Sequence, residues 1–79
     1  GEHLVFGRVV TAQSARGQGL GGQLIREILQ LCAEKWPGKE IEIEAQVQVA
    51  ALYEKYGFKS VGQSFIFEST PHITMIYKQ

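Results

Sequence analysis

A glycine-rich run between an apolar segment and a long amphipathic segment has the chemistry of a phosphate site. The run reads Arg16-Gly17-Gln18-Gly19-Leu20-Gly21-Gly22. Residues without a Cβ atom let backbone N–H groups approach a ligand closely. A helix predicted to begin near residue 20 would direct its unpaired N–H groups and its positive dipole end to the same place. The sequence therefore predicts a site for a phosphate or pyrophosphate group at the start of this helix.

The glycine spacing fits more than one ligand class. Gly17, Gly19 and Gly22 match the G-x-G-x-x-G pattern of dinucleotide-binding folds, and Glu42 follows about twenty residues on, where a ribose-binding acid would stand. In those folds the first glycine follows its strand almost directly, whereas the small or polar residues 11–16 precede Gly17 here. No Gly-Lys-Ser/Thr follows the glycines, which excludes a nucleoside triphosphate P-loop. A nicotinamide-binding module is therefore a distant alternative.

The elements that must position this run follow from hydrophobic periodicity. Residues 4–10 are rich in β-branched and aromatic side chains and predict a strand. The apolar spacing of residues 20–35 predicts an amphipathic helix. Further elements are predicted as a strand at 40–45, a short helix at 49–56, and strands at 59–67 and 73–78. The order β-α-β-α-β-β predicts an α/β (α+β) fold with neighbouring parallel strands across each helix and a final hairpin.

Composition limits the possible functions. The 79 residues allow at most one domain, and the net charge of zero argues against nucleic acid as a partner. No apolar run approaches the roughly 18 residues of a membrane span. The single cysteine, Cys32, predicts a buried small hydrophobic residue, no metal centre and a reducing compartment, so we expect a cytoplasmic protein.

Three ordered motifs resemble one family, the Gcn5-related N-acetyltransferases (GNAT). Arg16-x-x-Gly19-x-Gly21 is similar to the family's acetyl-CoA signature, and Leu52-Tyr53-Glu54-Lys55-Tyr56-Gly57-Phe58 is similar to a later family segment. Gly7-Arg8-Val9-Val10, Ala45-Gln46 and Pro71-His72-Ile73-x-Met75 resemble its small bacterial ElaA-type branch. Family members carry a further segment in front. The resemblance therefore implies that residues 1–79 form a single truncated domain, the C-terminal, acetyl-CoA-binding half of the fold.

The resemblance also implies a role for each site residue. Tyr53 would protonate the departing CoA thiolate, and a phenol with a pKa near 10 is a suitable general acid. Backbone groups at the end of the first strand would bind the pantetheine arm. The amides of the glycine run, beside the Arg16 guanidinium, would bind the pyrophosphate. The carboxamide of Gln46 would contact CoA. The acetyl-CoA-binding residues are thus Val9, Val10, Thr11, Arg16, Gly17, Gln18, Gly19, Leu20, Gly21, Gly22 and Gln46.

A general base for the amine is not evident from the sequence. Residues 4–10, where the family often has a carboxylate, contain no acidic residue. Glu44 is a candidate, although a solvated strand carboxylate is the simpler interpretation, and His72 is a second, although beside Pro71 it is more simply a turn histidine. The half that the resemblance implies to be absent is a third location for the base.

The function implied is transfer of the acetyl group from acetyl-CoA to a primary amine by direct attack. The alternative is a non-catalytic CoA-binding or assembly module that lacks the acceptor half. Because a sheet of four strands with two helices leaves one face or edge poorly covered, we expect a homodimer or a separate N-terminal half as partner.

Overall fold

The computed structural model describes residues 3–7, 10 and 19–79. The elements in chain order are β1 (His3–Phe6), α1 (Leu20–Lys35), β2 (Glu40–Gln46), a 3-10 turn (Val47–Val49), α2 (Ala50–Lys55), β3 (Lys59–Phe67) and β4 (Thr70–Tyr77). This order of strands and helices is the predicted one, although β4 begins earlier than residue 73. Residues 8 and 9 of the predicted first strand lie outside the described part of the chain.

The strands form one mixed sheet in the order β1-β2-β4-β3. β1 pairs in parallel with β2, and β4 pairs antiparallel with both β2 and β3. The prediction that parallel strands are neighbours across each helix is thus right for β1 and β2 but wrong for β2 and β3, since β4 lies between them. Burial explains this placement, because β4 contributes the buried Met75 and His72 whereas every residue of β3 is exposed or half-buried. The more apolar strand takes the central position.

Both helices pack on the same face of the sheet. Strict alternation in β2 buries Ile41, Ile43 and Ala45 on that face. These side chains share one core cluster with Met75 of β4, with Ile25 and Cys32 of α1, with Val49 of the 3-10 turn and with Tyr53 of α2. The helical stripe is narrower than predicted, because Leu20 is 53% exposed.

Cys32 is fully buried, as predicted, and burial raises the pKa of its thiol. The thiol therefore keeps its proton at neutral pH.

The opposite face of the sheet carries Glu40, Glu42, Glu44 and Gln46, all half-buried. Neither α1 nor α2 packs against this face, and large apolar side chains are exposed on it. These are Val5 (64% exposed), Val61 (44%) and Phe67 (45%). We call it the helix-free face. Within the described ranges, no helix combines the length and the apolar character needed to cross a bilayer.

Two glycines that follow the helices allow a matched test of backbone conformation and packing. Gly38 (φ 82°) and Gly57 (φ 100°) both have positive φ, but a Cβ atom at Gly38 would meet nothing within 4 Å whereas one at Gly57 would lie 2.9 Å from Cε2 of Tyr77. The Tyr77 ring is held by Phe58, with ring centroids 5.3 Å apart. We expect Gly38→Ala to cost about 1 kcal/mol of unfolding free energy and Gly57→Ala to cost a further ~1–2 kcal/mol. Urea denaturation measures both, and equal losses would contradict the described packing of Tyr77.

Candidate functional site

Tyr53 is the centre of the candidate site. It lies in α2, is 1% exposed, and packs its ring edge-on against Phe58 with centroids 5.3 Å apart. Its hydroxyl oxygen accepts a hydrogen bond of 3.2 Å from the backbone N–H of Val10. Two residues predicted to belong to one site are therefore in contact, although they are 43 positions apart in the sequence.

A side chain of α2 supplies the partner of the Val10 N–H. β1 and β2 are in register from His3 beside Glu40 to Phe6 beside Ile43, and Val10 follows β1 in the chain. A buried N–H group needs a partner, and the Tyr53 hydroxyl provides it. The hydrogen bond thus connects α2 to the chain just past β1.

The surroundings of Tyr53 keep its phenol protonated. Burial raises the pKa of the phenol above its ordinary value, and the hydrogen bond from Val10 opposes this only in part. The hydroxyl therefore keeps its proton at neutral pH. Since its oxygen accepts from Val10, its own O–H bond can still be donated to a second group, which is the requirement for a general acid.

The start of α1 has the features of an anion site. Gly19 caps the helix in the left-handed conformation (φ 77°), and the first intrahelical bond runs from the N–H of Gln23 to the carbonyl of Gly19 at 3.1 Å. The N–H groups of the preceding residues, Leu20, Gly21 and Gly22, have no acceptor within the helix. The first turn carries no acidic side chain. These features fit a diphosphate.

Five predicted binding residues lie outside the described part of the chain, and their roles stay predictions. They are Val9, Thr11, Arg16, Gly17 and Gln18.

Gly22 has a packing role that the sequence analysis missed. A Cβ atom there would lie 2.5 Å from the hydroxyl oxygen of Tyr56, which in turn accepts a hydrogen bond of 3.1 Å from Arg26. The absence of a side chain at Gly22 thus lets the Tyr56 ring, which directly follows α2, pack closely against α1. The spacing of Gly22 and Arg26, four residues apart on one helix face, was the available signal.

The end of β2 brings the other candidates together on the helix-free face. Gln46 is half-buried and lies beside His72 of β4, and Glu44 lies beside Thr74. His72 is not the turn histidine expected beside Pro71: it belongs to β4 and is 1% exposed.

The tautomer of His72 follows from one contact. Nδ1 is 2.8 Å from the carbonyl oxygen of Thr70. A carbonyl can only accept, so Nδ1 carries a proton and donates it to Thr70. The ring lies close to Phe65 and Phe67, with centroid distances of 6.0 and 5.6 Å. These contacts fix the orientation of the imidazole.

A groove of about 640 Å³ lies at the other end of the sheet, where β2 and β3 begin and β4 ends. Its lining is Glu40, Gly57, Lys59, Ser60, Val61, Ile76 and Lys78. None of the residues predicted for the site lines this groove, and Tyr53 lies outside it.

Comparison with known proteins identifies the family of this chain. The model of the acetyltransferase (GNAT) domain family matches residues 2–79. Protein ElaA of Escherichia coli K12 is 34% identical over 74 residues, which are 94% of this chain and 48% of ElaA. A UPF0039 protein of Synechocystis is 32% identical over 92% of this chain and 47% of its own length.

Solved structures agree as well. The crystal structure of E. coli ElaA superposes with a TM-score of 0.81, covering 98% of this chain and 53% of that one at 34% identity. An acyl-CoA N-acyltransferase from Pseudomonas aeruginosa superposes with a TM-score of 0.78 at 40% identity, covering 92% of this chain and 49% of that one. The chain thus spans about half the length of these relatives.

Removing the Tyr53 hydroxyl tests the central contact. Tyr53→Phe leaves the buried N–H of Val10 without its acceptor, so we expect a loss of about 1–3 kcal/mol in the free energy of unfolding. Tyr56→Phe is the control, because the exposed guanidinium of Arg26 can bind water instead; there we expect a loss below about 1 kcal/mol. Chemical denaturation measures both. Equal effects would mean that the Val10 contact does not stabilise the fold.

Proposed function

Because the chain belongs to the acetyltransferase (GNAT) domain family, we propose that it transfers the acetyl group of acetyl-CoA to a primary amine by direct attack. Family membership supports acyl transfer as the general chemistry. The observation that carries the specific proposal is the buried, protonated Tyr53 phenol, held by the Val10 N–H where β1 has ended. The chain spans about half of its relatives' length, so the activity of the whole protein is part of the proposal.

The start of α1 binds the pyrophosphate of acetyl-CoA in this proposal. The amides of Leu20, Gly21 and Gly22 are oriented for it, and Gly19 leaves space beside them, since a Cβ atom there would meet nothing within 4 Å. Arg16, Gly17 and Gln18 complete this site by resemblance to the family. Amides at a helix start together with a guanidinium suit a doubly charged group.

The end of β1 binds the pantetheine arm. Val9, Val10 and Thr11 supply backbone groups for this contact by resemblance. The N–H of Val10 already donates to Tyr53, so its carbonyl oxygen is the group left to accept from a pantetheine amide. Gln46, on the neighbouring strand β2, offers a carboxamide to the same ligand.

The sulfur atom of the departing CoA must receive a proton. The amine nitrogen attacks the thioester carbon, the carbon–sulfur bond breaks, and Tyr53 donates its proton to the departing thiolate. A positioned general acid contributes about 10²–10⁴-fold to such a rate. Cys32 takes no part, because its thiol is buried and protonated, which is consistent with direct transfer rather than an acyl-enzyme.

A non-catalytic CoA-binding module is the second candidate function. The lack of an acidic residue at positions 4–10, where the family often has a carboxylate, favours it. It would bind acetyl-CoA without turning over any amine. Release of free CoA in the presence of an amine panel, followed with a thiol reagent, separates the two functions.

A cytoplasmic location is part of the proposal. Cys32 is free and buried, as expected in a reducing compartment. The related proteins named above are bacterial.

Self-association through the helix-free face is the further partner proposal, with a separate N-terminal half as the alternative. The exposed Val5, Val61 and Phe67 form the apolar part of this face. We expect a dimer at micromolar concentration in sedimentation velocity, weakened by Val61→Ser but not by Leu31→Ser on α1. A monomer throughout would exclude the homodimer and favour the separate half.

A charge introduced at the helix start tests the acetyl-CoA site. Leu20 is exposed in the first turn of α1, and Leu31 is exposed near its other end. Leu20→Glu should stabilise the helix slightly through its dipole yet weaken acetyl-CoA binding about tenfold or more, because the carboxylate repels the pyrophosphate. Leu31→Glu is the matched control and should leave affinity unchanged.

Isothermal titration calorimetry with acetyl-CoA, and with NAD as the control ligand, measures these affinities. Equal affinities of the two variants, or equal binding of NAD, would contradict the proposed site.

A further inference from the structure

The guanidinium of Arg26 and the hydroxyl of Tyr56 form a polar pair beside the first turns of α1. Nη1 of Arg26 donates a hydrogen bond of 3.1 Å to the Tyr56 hydroxyl oxygen, and the guanidinium carbon lies 6.0 Å from the centroid of the Tyr56 ring. Arg26 is exposed and makes no ion pair with any residue that the structure describes. The pair therefore presents a positive charge that no described carboxylate neutralises.

The pair offers hydrogen-bond donors to a ligand. A guanidinium carries several N–H donors, and Arg26 gives one of them to Tyr56. The Tyr56 oxygen accepts this bond, so its own O–H remains available to donate. Glu27, the acidic residue next in the chain, accepts a hydrogen bond of 3.3 Å from Gln23 one turn before it, so its carboxylate is engaged on a neighbouring face of the helix. A guanidinium beside a hydroxyl suits a phosphate group, which can accept two parallel hydrogen bonds from the planar fork.

The pair lies one helical turn from the start of α1. Gly22 and Arg26 are four residues apart and share a face of the helix. A Cβ atom at Gly22 would lie 2.5 Å from the Tyr56 hydroxyl oxygen, so this hydroxyl lies directly over Gly22. The N–H of Gly22 is in turn one of the amides that have no acceptor within the helix. A rise of about 1.5 Å per residue separates Gly22 and Arg26 by about 6 Å along the axis, so two groups of anion-binding donors are one turn apart.

We propose that Arg26 and Tyr56 bind the 3′-phosphate of CoA and thereby select CoA over its 3′-dephospho form. This inference rests on the proposed function, in which the amides at the start of α1 bind the pyrophosphate. In CoA only a ribose separates the pyrophosphate from the 3′-phosphate, which suits two groups of donors one turn apart. The ligand class is therefore a nucleoside that carries phosphate at both its 5′ and its 3′ position.

Calorimetric titration of the 79-residue chain with CoA and with 3′-dephospho-CoA tests this assignment. We expect the wild-type chain to bind CoA about tenfold or more tightly than dephospho-CoA, because the second ligand lacks the charge-assisted hydrogen bonds of the phosphate. Arg26→Gln should weaken CoA binding about tenfold and change dephospho-CoA binding less than about twofold, which abolishes the preference. Tyr56→Phe, which removes one hydroxyl donor, should reduce the preference about threefold.

Lys35→Gln is the matched control. Lys35 is exposed in the last turn of α1 and carries the same charge as Arg26, but the two residues are about 14 Å apart along the helix axis. Salt screens most of its effect on an anion at that distance, so we expect both affinities to change less than about twofold. Glutamine has a helix propensity similar to that of arginine, so Arg26→Gln should fold as the wild-type chain does, which circular dichroism checks.

The outcomes separate this inference from the proposed function. Equal affinities of the wild-type chain for CoA and dephospho-CoA, equal losses for both ligands in Arg26→Gln, or the same change in Lys35→Gln would each overturn the inference without contradicting the proposed function. If neither ligand binds the wild-type chain, the proposed function fails, and titration with adenosine 3′,5′-bisphosphate and adenosine 5′-monophosphate decides the inference. A preference for the bisphosphate that Arg26→Gln removes supports it, whereas no preference or no binding overturns it.

Discussion

The hydrogen bond from the Val10 N–H to the Tyr53 hydroxyl is the contact on which the candidate site depends. It joins the chain just past β1 to α2, and it is buried, so neither group can exchange its partner for water at low cost. The same contact leaves the phenolic proton available for donation. The Tyr53 side chain thus meets two requirements. It pairs a buried amide, which the fold needs, and it presents a proton donor, which the proposed chemistry needs.

Tyr56, which directly follows α2, packs in turn against α1. The missing side chain at Gly22 admits the hydroxyl end of Tyr56, which Arg26 holds by a hydrogen bond. The described end of the glycine run therefore has two functions in the proposed mechanism: the first amides of α1 bind an anion, and Gly22 leaves space for the hydroxyl of Tyr56. A larger residue at Gly22 would displace that hydroxyl from its place beside Arg26.

Local patterns in the sequence were enough to predict the helices and strands, because the spacing of apolar residues within a segment indicates which of the two it forms. The alternation in β2 and the helical spacing in α1 are examples. Strand pairing was predicted correctly for β1 with β2 and for the β3–β4 hairpin, but not for β2 with β4. The insertion of β4 between β2 and β3 depends on which strand of the final hairpin can bury more side chains, and this is a comparison between distant segments. The burial of His72 was missed for the same reason, since it results from the central position of β4.

The residues of the candidate site that stand in a sequence motif were predictable. The residues whose chemistry depends on their contacts with distant side chains were not. Tyr53 and the start of α1 stand in recognisable motifs, whereas the difference between Glu44 and Glu42 is invisible in an alternating strand. It arises because His3 and Lys78 lie within 4.0 Å of Glu42 and Glu40, whereas no described basic residue lies so close to Glu44. Ion pairs of this kind depend on strand register, which the sequence does not encode locally.

The most direct test of the account follows backbone amides by ¹H–¹⁵N correlation spectroscopy during titration with acetyl-CoA. The account predicts saturable shifts at Val10 and at Leu20, Gly21 and Gly22, with little change in the β3–β4 hairpin far from them. Shifts confined to that hairpin, or no shifts at saturating acetyl-CoA, would contradict it.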